Sequence, residues 1–205
     1  MVNESEFRKD FRKLSLTVVM CVITAISAQL SFKIGFVPYT MQNFAVMLAG
    51  FLLGPYYGFI SQALYLTLIA VGLPLASSGG GLGVLLGPTA GFLFGFPIAA
   101  FLAGVFRRKI RSSLILWLST FLAALPIYIL GFLVFYNIAI GNAKLSAWAE
   151  SIASPFGISG SLPLVIFFAT VLIFIPQDMF VDHLLAVVVY RYVERLIRER
   201  GFEID

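Results

Sequence analysis

The chain has 205 residues, of which 60% are hydrophobic and 12% charged, and its mean hydropathy is +0.98. A water-soluble domain with so few charges would expose apolar patches and aggregate, so the composition excludes an ordinary soluble protein. About 20 apolar residues cross a bilayer core, which leaves room for roughly six spans and for no separate soluble enzyme domain.

The net charge of +4 does not indicate nucleic-acid binding, because the cations are confined to short stretches between apolar segments. Twelve of the fourteen form three groups: Arg8, Lys9, Arg12 and Lys13; Arg107, Arg108, Lys109 and Arg111; Arg191, Arg195, Arg198 and Arg200. Six spans with both termini inside put all three groups on the cytoplasmic side, as the positive-inside rule expects. We therefore predict one membrane domain over residues 1–205, with cytoplasmic segments at 1–13 and 194–205.

The apolar runs predict an all-α bundle of six transmembrane helices. The first span covers residues 14–32 and the second, a short one, covers 41–53. Gly54-Pro55 then turns the chain tightly into a third span at 56–76. The fourth and fifth spans cover 89–106 and 114–136.

The sixth span is harder to place. Residues 137–160 are polar and irregular, and 162–175 are apolar but short for a full crossing, so we expect a re-entrant or outer-surface segment. Pro176 suits a first helical turn, and we place the sixth span at 176–193. A separate span at 162–175 would move the last four arginines outside, against the charge rule. One long tilted helix that begins at Leu162 is the alternative.

A polar cluster opens the second span on the predicted outer side. Hydroxyl and amide groups both donate and accept hydrogen bonds, so they suit a neutral polar ligand. The cluster consists of Tyr39, Thr40, Gln42 and Asn43. Ordinary helix capping by the Thr and Asn is the structural alternative.

An uncharged glycine-rich loop follows the third span. Residues 77–83 read SSGGGLG, and the loop continues to Gly87-Pro88-Thr89. A polar, close-packing loop at the lip of a membrane protein suits a lid or cradle for a small molecule. A flexible connector is the alternative, but the apolar continuation at residues 84–86 favours a packed loop.

Two carboxyl groups and an imidazole lie within the predicted sixth span: Asp178, Asp182 and His183. Such groups are costly in a membrane and by default indicate function. Asp178 lies in the first turn of that span, where the helix dipole favours a carboxylate and the NH groups of a ligand could reach it. Alternatively, Asp178 caps the helix, Asp182 and His183 form a satisfied buried pair, or all three relay protons.

Other chemistries find little support. A metal site needs more ligands than the chain supplies, and no GxxxxGK[ST] loop for ATP phosphates occurs. No Ser or Cys nucleophile with a partnered base is readable, since Cys21 lies alone in an apolar run. We predict a protein that is not an enzyme and needs no cofactor.

Two stretches resemble the BioY family, the biotin-specific S-components of energy-coupling-factor (ECF) transporters. They read VPYTMQNFAVMLAGFLLGPYYG and LYLTLIAVGLPLASSGGGLGVLLGPTAGFLFGFPIAAFLAG, and the match spans residues 25–104. A weaker likeness, IPQDMFVDHLLAVV, covers the final helix. The resemblance implies a six-helix membrane fold with a biotin site that opens outward, a transmembrane coupling subunit and two cytoplasmic ATPases as partners, and location in the plasma (inner) membrane.

The resemblance also implies which residues bind. The family pocket maps onto Thr40 and Gln42, onto Ser78, Gly79, Gly80 and Gly81, and onto Asp178. We add Asn43, Thr89, Asp182 and His183 as further polar candidates, and Tyr39, Leu82 and Phe92 as walls. A small-xxx-small motif for docking the coupling subunit corresponds to Cys21/Ala25 or Thr24/Ala28.

One position departs from the family pattern. The family usually carries a Lys three residues after the Asp of the sixth helix, and here that residue is Val181. The ligand carboxylate must then be held by loop amides and hydroxyls, or by Lys33, or the pocket takes a modified ligand. The sequence thus predicts a high-affinity biotin-binding subunit energised by partner ATPases. A stand-alone proton-coupled transporter and a membrane enzyme or scaffold are the alternatives.

Overall fold

The computed structural model describes residues 4–200, which are mainly helical. Its elements, in chain order, are α1 (Glu4–Gln29), β1 (Ser31–Ile34), β2 (Val37–Thr40), α2 (Gln42–Ala70), α3 (Leu82–Leu85), α4 (Ala90–Lys109), α5 (Ser113–Ile140), α6 (Ala143–Ala153), α7 (Leu162–Phe167), α8 (Ile175–Gln177) and α9 (Leu184–Glu199). A 3-10 turn, Ser154–Phe156, follows α6, and π-helical turns at Phe168–Leu172 and Asp178–His183 lie between α7 and α9.

Within the described residues, five helical segments are long and apolar enough to cross a bilayer: Phe11–Gln29, Gln42–Ala70, Ala90–Lys109, Ser113–Ile140 and Leu162–Glu199. Large apolar side chains such as Val22 and Leu122 remain about half exposed on their outer faces. A lipid-facing surface explains this exposure, because water would penalise it. The prediction of an all-α, multi-pass membrane bundle is confirmed.

The second of these segments, α2, is a folded hairpin rather than one straight helix. Gly54 has φ 74°, a conformation that favours glycine, and Pro55 follows it. The side chain of Gln42 donates a 2.9 Å hydrogen bond to the Tyr65 hydroxyl, although a straight helix would hold these residues about 35 Å apart. The turn predicted at Gly54-Pro55 therefore joins two antiparallel arms, which supply two of the six predicted passes. The count of six and the side of each terminus stay predictions.

The core lies where α2 packs against α4, with α1 and α5 on the flanks. At Gly50 the backbone of α2 approaches α4 so closely that an added Cβ would collide with the Ala100 carbonyl oxygen and would lie 2.8 Å from the Ala103 Cβ. Fully buried side chains such as Phe51 and Tyr65 fill the space around this crossing. Small residues thus bring two helices into backbone contact, as is typical of membrane bundles.

The last membrane segment differs from the prediction. Residues 162–199 are helical almost throughout, and the amide of Asp178 donates to the Phe174 carbonyl at 2.9 Å across the predicted start of span six. The prediction that this helix begins at Pro176 was wrong, and the alternative of one long helix from Leu162 is correct. The helix accommodates Pro176 because the preceding π-helical turn and residues 173–174 depart from regular α-helical bonding.

Two further local expectations fail. Residues 137–160, predicted to be irregular, contain the end of α5 and all of α6, and Asn142 caps α6 by accepting from the amides of Lys144 and Leu145. The first span ends at Gln29 instead of residue 32, because β1 and β2 form an antiparallel hairpin in the register Ser31↔Thr40 to Ile34↔Val37. This hairpin carries the polar cluster to the mouth of the bundle.

At the α2–α4 crossing, we expect replacement of a helical glycine by alanine to destabilise the protein rather than to stabilise it. Gly to Ala within a helix normally stabilises by about 0.5–1 kcal/mol, but Gly50→Ala should lower the free energy of unfolding by about 1–3 kcal/mol through overpacking. Thermal unfolding in detergent measures this. Gly141→Ala, just after the end of α5, is the control for a glycine without close neighbours, since a Cβ there meets nothing within 4 Å. A melting temperature of Gly50→Ala at or above that of the control would contradict the packing described.

Candidate functional site

A half-enclosed cavity lies between the β-hairpin, the loop after α2, and the helices α4, α5 and α8. It holds about 650 Å³ of non-atom space, with open solvent at its mouth included. Polar groups line one part of it and aromatic or aliphatic groups the rest. The lining residues are Val37, Pro38, Thr40, Gln42, Asn43, Ala76, Ser77, Ser78, Thr89, Phe92, Leu93, Phe96, Ile127, Tyr128, Thr170, Phe174, Gln177 and Asp178.

Asp178 provides the carboxylate of this cavity. It is 4% exposed and accepts a 2.8 Å hydrogen bond from the Tyr128 hydroxyl of α5. Because the helix continues on both sides of it, Asp178 does not cap a helix start, and that alternative is excluded. The Asn43 side chain is a second hydrogen-bond donor to Asp178, and because a carboxylate offers about four acceptor sites, it retains capacity for a ligand.

The wide turn Asp178–His183 explains how several polar groups share the inner side of the helix. A π-helical turn bonds i to i+5 and is frequent at functional sites. Here it buries Asp178, Met179, Asp182 and His183 together, while Val181 is 47% exposed on the outside. The position that carries a Lys in the family pattern thus faces away from the interior.

Asp182 and His183 are buried but do not line the cavity. The Gln177 amide donates to Asp182 Oδ1 at 3.0 Å, and His183 Nδ1 lies 3.3 Å from the Met179 sulfur. Within residues 4–200 no hydrogen bond joins Asp182 to His183, so the expectation that they satisfy each other was wrong. Asp182 instead orients Gln177, which does line the cavity.

The polar cluster at the start of α2 reaches the cavity through three of its four members. Thr40, Gln42 and Asn43 line it, whereas Tyr39 stands beside it. The Tyr39 ring stacks on Phe174 at 4.2 Å between ring centroids, and its hydroxyl donates to the Ile173 carbonyl at 3.1 Å. Tyr39 thus ties the β-hairpin to the last helix.

Helix capping accounts for only one contact of the cluster. Thr40 Oγ1 accepts from the Gln42 amide, at 3.4 Å. The first residue before α2 is Met41, which makes no side-chain cap. Asn43 lies inside the helix, with its side chain on the cavity.

The glycine-rich loop is packed rather than loose. Ala76 and Gly79 exchange two backbone hydrogen bonds of 2.9 Å, and the Gly81 amide donates to the Ile69 carbonyl at 2.7 Å. Ser78 lines the cavity together with its neighbour Ser77. The remaining predicted loop residues, Gly79, Gly80, Gly81 and Leu82, do not line it, and Leu82 is 62% exposed.

The apolar walls come from three helices. Phe92, a predicted wall residue, and Phe96 form the wall from α4, and Thr89, a predicted polar candidate, lies beside them. The sequence reasoning missed Ile127 and Tyr128 of α5, and also Phe174 and Gln177. Tyr128 lies in an apolar run, and nothing near it in the sequence indicates a binding role. Gln177 could have been recognised, because it directly precedes the predicted site residue Asp178.

No cation is among the lining residues of this cavity in the described chain. Lys33 is exposed on β1, opposite the lining residue Pro38 in the hairpin register. A negatively charged ligand group would meet hydroxyls and amides here.

The predicted docking motif lies largely inside the bundle. Cys21, Thr24 and Ala28 are buried, and Gln62 of α2 donates to the Thr24 hydroxyl at 3.1 Å. Ala25 is only partly buried and borders a shallow apolar groove together with Val22. Cys21 borders the same groove, whereas Thr24 and Ala28 are fully buried in the bundle, so a docking role for this motif stays a prediction.

The fold is that of a membrane S-component. A solved structure described as the S-component for biotin from an ECF-type ABC transporter superposes with a TM-score of 0.73 and 26% sequence identity, covering 95% of both chains. The chain belongs to the BioY family, whose model matches residues 2–199.

Named relatives agree with this assignment. A probable biotin transporter BioY from Pyrococcus horikoshii is 42% identical over 123 residues, 60% of this chain and 73% of the relative. A biotin transporter BioY from Lactococcus lactis is 34% identical over 174 residues, 83% of this chain and 82% of the relative. These relatives are transporters, so the predictions of a family member that is not an enzyme and needs no cofactor are confirmed.

The contact between Tyr128 and Asp178 predicts a measurable coupling. Tyr128→Phe leaves a buried carboxylate without this donor and should lower the free energy of unfolding by about 1–3 kcal/mol. The double variant Tyr128→Phe/Asp178→Asn should lose less than the sum of the single variants, because the charge is gone.

Denaturant unfolding in detergent measures both effects. Tyr136→Phe on the same helix is the control, since its hydroxyl has no hydrogen-bond partner among residues 4–200. Strict additivity of Tyr128→Phe and Asp178→Asn would contradict the contact.

Proposed function

We propose that this chain is the high-affinity biotin-binding S-component of an ECF transporter. It would work in the plasma (inner) membrane as one domain over residues 1–205, with both termini cytoplasmic. The observation that carries the proposal is the cavity beside Asp178, in which a buried carboxylate faces apolar walls within a chain of the BioY family. The names of the relatives and of the structural neighbour supply the identity of the ligand.

The chemistry of the biotin head suits this cavity. Its ureido ring carries two N–H donors and one carbonyl acceptor. Asp178 can accept from the donors, while the side-chain amide of Asn43 and the hydroxyl of Thr40 can donate to the carbonyl. The fused sulfur-containing ring is apolar and fits between Phe92 and Phe174, as in most small-molecule sites.

The biotin carboxylate requires a different partner from the Lys of the family pattern. Val181 occupies that position and is largely exposed. Ser77 and Ser78 lie on the loop side of the cavity and offer hydroxyl donors. We infer that the carboxylate is held by neutral donors, which contribute less than an ion pair.

Energy for transport would come from partners. The chain has no phosphate-binding GxxxxGK[ST] loop, so we propose that a transmembrane coupling subunit and two cytoplasmic ATPases supply it. The proton-coupled alternative loses support, because the described residues show no hydrogen-bonded path through Asp178, Asp182 and His183.

Titration calorimetry of purified protein tests the ligand and its carboxylate together. Biotin should bind with a Kd well below about 1 μM, and biotin methyl ester should bind within roughly tenfold of it, because no cation is lost. An ester that binds more than about 100-fold more weakly would indicate a cationic partner. Failure of both ligands to bind would overturn the biotin proposal.

Uptake of labelled biotin tests the energy source. Cells that express this chain together with a coupling subunit and its ATPases should accumulate biotin above the external concentration. Cells lacking those ATPases should not, and an uncoupler should affect the first strain only through its ATP level. Concentrative uptake without the ATPases that an uncoupler abolishes would favour the proton-coupled alternative.

A further inference from the structure

A second large concavity lies far from the cavity at Asp178 and plays no part in the proposed function. It is formed where the end of α4 meets the end of α9, and it holds about 1630 Å³ of non-atom space, open solvent included. We call it the basic groove; it is lined by Arg107, Arg108, Ile110, Arg111, Tyr190, Arg191, Glu194, Arg195, Arg198 and Glu199. By the positive-inside rule it lies at the cytoplasmic boundary of the membrane.

Two of its arginines are held in place around one buried ring. The guanidinium carbons of Arg107 and Arg191 lie 5.6 Å and 5.2 Å from the centroid of the Tyr190 ring. Arg107 also donates to the Tyr190 hydroxyl at 2.9 Å. Arg191 donates to Ser113 Oγ at 3.2 Å and to the Arg111 carbonyl. Glu194 pairs with Arg191 at 2.7 Å, so one carboxylate already lies beside these two arginines.

The groove carries more positive than negative charge. Its two carboxylates form salt bridges with three arginines. Glu194 pairs with Arg191 and Arg198, and Glu199 pairs with Arg195. Arg108 and Arg111 are exposed and form no salt bridge with any residue in the range 4–200. These two guanidinium groups remain available to an anion, and arginine binds phosphate oxygens in a bidentate manner.

An apolar furrow continues from the groove along the bundle. Its lining residues are Ser113, Leu114, Trp117, Leu184, Val187, Val188 and Arg191, and it holds about 630 Å³ of non-atom space, open solvent included. Arg191 belongs to both depressions, so they share a border. Leu114 and Val188 are more than half exposed in the furrow, on the surface that faces lipid.

We propose that the groove and furrow together bind one anionic phospholipid. The phosphate of the headgroup lies between Arg108 and Arg111, and one acyl chain lies in the furrow against Leu184 and Val188. Basic pockets between membrane helices on the cytoplasmic side are suited to such headgroups. The joined apolar furrow favours a lipid over a soluble anion, which would use only the basic half.

Lipid retention tests the proposal on the full chain. The protein is reconstituted in vesicles of equal parts phosphatidylglycerol and phosphatidylcholine, extracted mildly, and examined by native mass spectrometry for bound lipid. Wild-type protein should retain phosphatidylglycerol preferentially. Arg108→Gln/Arg111→Gln should lower that preference by roughly 10- to 30-fold.

Two variants make the result specific. Lys33→Gln/Lys144→Gln removes the same charge from exposed positions on β1 and α6, outside the groove, and should keep the preference. Leu184→Ser/Val188→Ser should reduce phosphatidylglycerol retention while leaving the binding of inorganic phosphate unchanged.

Four outcomes would overturn the proposal. One is equal retention of the two lipids by wild-type protein, and another is an unchanged preference in the arginine variant. The third is full displacement of phosphatidylglycerol by inorganic phosphate with no effect of the furrow variant, which would make the groove a site for a free anion. Loss of ATPase association in the arginine variant, with lipid retention intact, would assign the groove to a protein partner and contradict the lipid.

Discussion

A buried carboxylate inside a membrane bundle is the constraint on which the rest of this structure depends. Asp178 is almost fully removed from solvent, and an isolated charge there is costly unless partners compensate it. The Tyr128 hydroxyl supplies one partner at 2.8 Å, and the π-helical turn Asp178–His183 directs the group inward. The remaining acceptor capacity faces a cavity, so the cost of burial is offset further when a ligand donates N–H groups.

The surrounding architecture holds this acceptor opposite the other polar groups. The hairpin of α2 folds at Gly54, and its close crossing with α4 at Gly50 fixes the start of α2, where Gln42 and Asn43 lie. Tyr39 connects the β-hairpin to the last helix through its hydrogen bond and its stacking on Phe174. The two ends of the cavity are thus joined by contacts that a moving lid would have to break.

The sequence was sufficient for features that depend on local chemistry. Glycine and proline marked the turn at Gly54-Pro55, and Thr40, Gln42, Ser78 and Asp178, chosen from the sequence, lie around one cavity in the structure. It was insufficient where long-range packing decides. Tyr128 meets Asp178 across fifty positions of sequence without a local signal, and Pro176 suggested a helix start because no pattern encodes the π-helical turns that accommodate it.

The role of Asp178 is tested most directly by the affinity of biotin for Asp178→Asn, compared with Asp182→Asn as a matched control. Asp178→Asn keeps the shape of the side chain but replaces a charged acceptor, so we predict a loss of about 10- to 100-fold in affinity with an unchanged melting profile. Asp182 does not line the cavity, and an asparagine at this position can still accept the hydrogen bond from Gln177. The affinity of Asp182→Asn for biotin should therefore change only a few-fold. Unchanged affinity in Asp178→Asn, or a larger loss in Asp182→Asn, would contradict the central role of Asp178.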